Sequence, residues 1–165
     1  MEGRPVQESQ STLSELALPN DANGLGTLLG GKIMHLVDIA GAIAAGRHSR
    51  QFVVTASFDH MDFLEPVWMG ELVTLHASVN RAFRTSMEVG VKVFAEDLRT
   101  STTRHVASAY LTFVALDGDR NPLLVPPVIP EGEEQKRRFE EAGERREHRL
   151  SLLRKRRAAD RTVTP

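Results

Sequence analysis

Residues 32–46 read KIMHLVDIAGAIAAG, and apolar or small side chains occupy almost every side of the helix this stretch would form. A helix that is apolar all round is a buried one, so the run predicts a central helix. Its polar exceptions are Lys32, His35 and Asp38. Downstream the texture changes to period two. Residues 51–58 are β-rich, and 72–83 place Val73, Leu75, Ala77 and Val79 on one face. In 86–95, Met87, Val89, Val91, Val93 and Ala95 alternate with Ser86, Glu88, Gly90 and Lys92. Residues 104–116 are apolar on both faces, the pattern of a strand inside a sheet. Upstream, 12–18 reads as a further, weaker strand. One buried helix and about five strands with short connections predict an α+β fold whose antiparallel sheet curves around the helix. The remaining side of such a helix requires another cover, which a partner subunit can supply.

The 165 residues fit one core, with 41% hydrophobic and 26% charged residues, which excludes collagen-like and wholly disordered chains. Cysteine is absent, so disulfides, thiolate nucleophiles and Cys-based metal sites are excluded. No stretch is apolar for long enough to span a bilayer, and the first ten residues, MEGRPVQESQ, lack signal-peptide order, so a cytoplasmic protein with no membrane partner is expected. The net charge of −1 argues against a general nucleic-acid binder, but it conceals a split along the chain. Residues 1–130 carry 10 Lys/Arg against 14 Asp/Glu, whereas 131–165 carry 11 against 8. The expected organisation is a flexible arm over 1–11, one domain over 12–130, and a charged helical tail over 131–165 that is partly disordered. In the tail, Glu133 with Arg137, Glu134 with Arg138, and Glu141 with Arg145 stand at i,i+4 spacing. Phe139, Ala142, Leu150 and Leu153 form only a broken apolar stripe, so partial docking is expected.

Chemistry concentrates around the loop PNDANGLGTLLGG, residues 19–31. Gly24, Gly26, Gly30 and Gly31 superficially suggest a dinucleotide fingerprint, but their spacing is wrong and the βα units that fold requires do not follow. What remains is a helix N-terminus, where the unpaired N–H groups near Gly30, Gly31 and Lys32 and the helix dipole favour an anion or a polarised carbonyl oxygen. Asp38, two turns into the helix, is flanked by Val37, Ile39 and Ala40, where a carboxylate loses hydration. The competing readings are a salt bridge to an arginine or a narrow polar edge shared with His35. For Asn23 the local reading is a turn residue. The group Asp59, His60 and Asp62 reads as strand-end packing rather than a metal site. Arg84, Thr85 and Ser86 form a turn able to hold phosphate oxygens, although an ordinary polar hairpin would look the same.

The stretch LPNDANGLGTLLGGKIMHLVDIAGAIAA resembles the opening of hotdog-fold acyl-CoA thioesterases, in particular the branch of the cytosolic (brain-type) long-chain acyl-CoA hydrolases. The likeness continues through VVTASFDHMDFLEPVWMGE, RTSMEV and ASAYLTFVALD, and covers roughly residues 13–142. It implies a central helix wrapped by a five-stranded sheet, dimers joined edge to edge, and often a trimer of such dimers. It also implies hydrolysis of fatty acyl-CoA at a site between subunits, with no metal or other cofactor beyond the CoA of the substrate. By position, Asp38 matches the acidic residue serving as general base or nucleophile, and Asn23 matches the residue that orients water or substrate. Gly31 matches the N–H facing the thioester oxygen, with Gly30 beside it. Arg84, Thr85 and Ser86 match the turn near the CoA phosphates. Two features depart from the pattern: Leu29 stands where many relatives have His, and one hotdog unit is present where eukaryotic relatives often join two. A non-catalytic acyl-CoA-binding regulatory domain and an enoyl-CoA hydratase share the fold; the carboxylate at Asp38 favours an enzyme over the binding domain, and a hydratase would need an acid paired with a His, for which His35 and His48 show no evident motif with Asp38.

Overall fold

The computed structural model describes residues 1–162. In chain order its elements are β1 (Arg4–Pro5), a 3-10 turn (Val6–Ser9), β2 (Ser11–Leu16), a second 3-10 turn (Pro19–Asp21), α1 (Gly30–Ser49), β3 (Phe52–Phe63), β4 (Leu72–Ala82), β5 (Ser86–Asp97), β6 (Thr102–Leu116), β7 (Val128–Ile129) and α2 (Gly132–Thr162). One antiparallel sheet has the order β2-β4-β5-β6-β3, and β1 pairs in parallel with β7 in a small second sheet. The expected α+β architecture is present, and β6, apolar on both faces, lies inside the sheet between β5 and β3.

α1 packs on the sheet through Ile33, Leu36, Val37, Ala40, Gly41, Ala44 and Ala45, all buried and recurring at helical spacing. Each fully buried aliphatic side chain of the Val or Leu class contributes about 1.5–3 kcal/mol relative to exposure. Gly41 sets the approach distance: a Cβ there would meet Phe113 Cε2 of β6 at 2.9 Å, so a side chain would lift the helix off the sheet. The helix ends where Arg50 turns left-handed, at φ 55°, and returns its N–H to the Gly46 carbonyl. On the opposite side Met34, Ile39 and Ile43 remain partly exposed, and nothing among the described residues covers that apolar face fully.

Two terminal segments differ from expectation. Residues 4–11, read as a flexible arm, are packed: Val6 is buried, and Ser9 Oγ donates to the Val6 carbonyl at 2.6 Å and accepts from Val79 N–H at 2.9 Å. Period analysis misses them because their order comes from 3-10 geometry and single hydrogen bonds. The tail docks mainly through arginines. The Arg81 guanidinium stacks on Phe139 at 4.3 Å, and Arg145 stacks on Tyr110 at 3.8 Å while its Nη2 lies 2.8 Å from Glu88 Oε1. Arg146 covers Phe83 at 4.4 Å, and Arg149 reaches Asp59 at 3.1 Å. Of the expected i,i+4 pairs, Glu134–Arg138 and Glu141–Arg145 are present; Glu133 instead meets Lys136, and Arg137 meets Glu141.

His48, in the last turn of α1, is fully buried and its Nε2 donates to the Pro126 carbonyl at 2.8 Å. Burial lowers its pKa below the usual 6.5, and the Pro126 carbonyl only partly opposes that. The folded chain therefore keeps the ring neutral where the unfolded chain would take up a proton. Stability from this group is complete above pH 6.5 and is lost as pH falls through 6.5 toward the lower folded value. Melting curves between pH 7.5 and 5 should show a falling Tm, and His48→Gln should make the slope below pH 6.5 shallower; parallel slopes would exclude His48 as the origin.

Candidate active site

The helix N-terminus is held from two sides. Lys32 Nζ lies 2.6 Å from Glu15 of β2 and 3.3 Å from Asp21. The glycine loop is stitched to residues 67–69 by Leu28 N–H to the Val67 carbonyl, Met69 N–H to the Gly26 carbonyl, and a Thr27–Trp68 bridge. Below these, Arg104 of β6 donates to Glu65 at 2.7 Å and to both oxygens of Glu71, and Glu71 also accepts from Trp68 N–H. The loop is thus held by bonds to residues 67–69 and a charged clamp beneath them, in addition to the bonds within the loop itself.

Among the described residues, Gly30 and Gly31 N–H have no acceptor, whereas Lys32 N–H is taken by the Leu29 carbonyl at 3.0 Å. The expected donor set therefore narrows to the two glycines. A Cβ at Gly31 would meet nothing within 4 Å, so packing does not require glycine there. Gly31, Met34, His35, Asp38, Thr55 and Phe58 line an open cavity of about 340 Å³.

Asp38 faces that cavity. It makes no salt bridge among the described residues; Thr55 Oγ1 of β3 donates to its Oδ1 at 2.5 Å. Thr55 is the site residue that the sequence did not reveal. It stands just before a register shift between Thr55 and Ser57, and a bulge of this kind re-aims a strand side chain. Its only sequence signal is a hydroxyl in the run FVVT, which is ordinary strand composition. His35 shares the cavity one helical turn before Asp38, so the polar-edge geometry considered for this pair is realised in the single chain.

The other candidates lie outside this cavity. Asn23 is engaged within its own loop: Oδ1 accepts from Leu25 and Thr27 N–H, and Nδ2 donates to Thr27 Oγ1 at 2.8 Å. Arg84, Thr85 and Ser86 close the β4–β5 turn, where Phe83 N–H meets the Ser86 carbonyl at 2.7 Å and the Arg84 side chain is exposed. Through the pairings Ser86–Val114 and Val54–Val114, this turn and Thr55 share one end of the sheet, roughly 10 Å apart across β6. Asp59 is bonded by Thr112 and Arg149, while His60 pairs with Asp62 at the surface.

A family model described as the thioesterase superfamily matches residues 25–102. An uncharacterised acyl-CoA thioester hydrolase of Bacillus subtilis is 42% identical over 134 residues, covering 81% of this chain and 78% of that protein. This chain belongs to the thioesterase superfamily. The superfamily fold is equally evident in solved structures. A hexameric apo acyl-CoA thioesterase superposes with a TM-score of 0.90 at 38% identity, covering 93% of this chain and 98% of the other. The acyl-CoA hydrolase of Staphylococcus aureus, in complex with butyryl coenzyme A, coenzyme A and coenzyme A disulfide, gives 0.88 at 33% identity, covering 98% and 99%. Alanine variants of that enzyme at an aspartate, a threonine and an asparagine have the same residue types, at the same sequence spacings, as Asp38, Thr55 and Asn23 here. Mammalian relatives are longer: the chain spans 37% of the rat cytosolic acyl coenzyme A thioester hydrolase, to which it is 36% identical. No described helix is long and apolar enough to cross a membrane.

Proposed function

We propose that this chain hydrolyses fatty acyl-CoA thioesters to the free acid and CoA, as a member of the cytosolic long-chain branch acting in the cytoplasm. The observation that carries this reading is a carboxylate held by a strand hydroxyl, in one cavity with an open helix N-terminus. The thioester oxygen rests against Gly31 N–H, with Gly30 beside it, where preorganised dipoles stabilise the charge that develops on that oxygen. As the new C–O bond forms at the carbonyl carbon, the C–S bond breaks and the thiolate of CoA leaves. Asp38 supplies the driving group, either as the base that takes a proton from the attacking water or as the attacking oxygen, in which case a water then hydrolyses the acyl anhydride left on Asp38; in both routes water supplies the elements that complete the free acid and the proton that ends on the CoA sulfur. Hydrolysis of this kind calls for no cofactor beyond the CoA of the substrate.

Asn23 reaches a neighbouring subunit's Asp38 cavity in this reading, orienting water or substrate there. Its engagement within its own loop then fixes the position from which it acts. The subunits join along β3, an edge strand flanked by the bare face of α1, and three such dimers make the hexamer. The hexameric relative supports this assembly.

Thiol release from CoA esters between acetyl and palmitoyl tests the activity. Absence of release together with hydration of an enoyl-CoA would replace the reading with a hydratase, and binding without turnover would replace it with a regulatory module. Arg84, Thr85 and Ser86 hold the CoA phosphates, so Arg84→Ala should raise KM more than it alters kcat. The effect should shrink at high salt and be absent with a pantetheine thioester lacking the nucleotide. An equal loss with that short substrate would remove Arg84 from phosphate binding.

A further inference from the structure

α2 crosses its own sheet strand by strand. Phe139 lies under Arg81 of β4, Arg145 meets Glu88 of β5 and Tyr110 of β6, and Arg149 meets Asp59 of β3. At about 1.5 Å per helical residue and about 4.8 Å per strand, ten residues match three strand steps, so the helix runs across the strands. β3 is the edge of the sheet. The helical residues 150–162 therefore project about 20 Å past it. The sheet-facing stripe nevertheless continues: Arg145, Arg149, Leu152 and Arg156 line one cavity of about 650 Å³ with residues 56–60 of β3. Leu152 and Leu153 are 42% and 39% exposed there.

We propose that this projecting half of α2 clasps a second copy of the chain, lying on the partner's sheet antiparallel to the partner's α2. The proposal rests on the β3-edge dimer of the preceding reading. Charge and symmetry support it. Glu140, Glu144 and Glu147 are exposed at i, i+4, i+7, and Arg154 continues the same side seven residues later, within the exposed run Arg-Lys-Arg-Arg at 154–157. A twofold axis midway between two β3 strands lies about 2.4 Å beyond Asp59, or about 1.6 helical residues past Arg149. Residues whose numbers sum to about 301 then face one another across the axis. Arg154 meets Glu147 of the partner subunit, and Arg157 meets Glu144 of the partner subunit, each pair occurring twice.

The test uses two full-length chains, R154E/R157E and E144R/E147R, each checked for native circular dichroism. Alone, each places like charges across the axis; mixed, all four pairs are attractive again, two with the native sign and two with the sign inverted. Native mass spectrometry at low ionic strength after subunit exchange should show the heterodimer favoured over the homodimers by at least about tenfold relative to random pairing, because several surface pairs act together. The preference should fade in high salt. Wild-type dimers with random pairing of the two variants would overturn the clasp while leaving the β3-edge dimer intact. A wild-type chain that is monomeric throughout would overturn both.

Discussion

Replacing Asp38 with Asn should lower turnover of the best acyl-CoA by at least about a hundredfold, the loss usual for removal of an acid–base group. The fold should be unaffected. An amide is nearly isosteric with the carboxylate, and its oxygen can still accept the Thr55 hydroxyl that now bonds Oδ1. The packing of α1 depends instead on its buried residues such as Val37, Ala40 and Gly41. Near-normal turnover by a folded D38N chain would remove Asp38 from the chemistry. In a single turnover in ¹⁸O-water with enzyme in excess, a first acid released without label identifies an attacking carboxylate whose anhydride is opened at the Asp38 carbon, with the label retained on Asp38; a labelled acid comes from a base or from opening at the acyl carbon.

The largest stability effect is expected at Arg145. Its guanidinium contacts both oxygens of Glu88, a side chain only 2% exposed, and stacks on Tyr110. Truncation to Ala leaves a buried carboxylate with Asn80 as its remaining hydrogen-bond donor. The cost of such an unpaired buried charge is about 3–5 kcal/mol, or roughly a 10 °C fall in Tm for a chain of this size. The double change R145M/E88M removes both charges and should recover most of the loss. If R145A alone melts within about 2 °C of wild type, α2 is not anchored by this pair.

The helix and the sheet were legible because their signals are periodic: Val89, Val91 and Val93 alternate, and Leu36, Val37, Ala40, Ala44 and Ala45 repeat at helical spacing. Asp38 was legible as a charge with no structural reason to stand among Val37, Ile39 and Ala40. Thr55 was not, since a bulge chooses where its hydroxyl points and bulges leave little trace in composition. Docking of α2 was underestimated because hydrophobic periodicity counts arginine as polar, whereas Arg145 and Arg146 cover aromatic rings with their planar heads. The N-terminal segment was misread for a related reason: Ser9 is buried as a hydrogen-bonding group, not as an apolar one.

The parallel pair β1–β7 is only two residues a side, yet it joins segments more than a hundred residues apart, and it sits beside the cover over His48. Arg4 reaches from β1 to the His48 carbonyl, and Pro126, just before β7, accepts from the His48 ring. A pairing this short opens at a small fraction of the cost of global unfolding. Acid therefore has a local door into the molecule. Protection of the amides near Arg4 and Val128, taken relative to the intrinsic exchange rate at each pH, should fall below pH 6.5 while that of β5 holds. Protonation of one imidazole would then loosen both of these segments together, long before the core gives way.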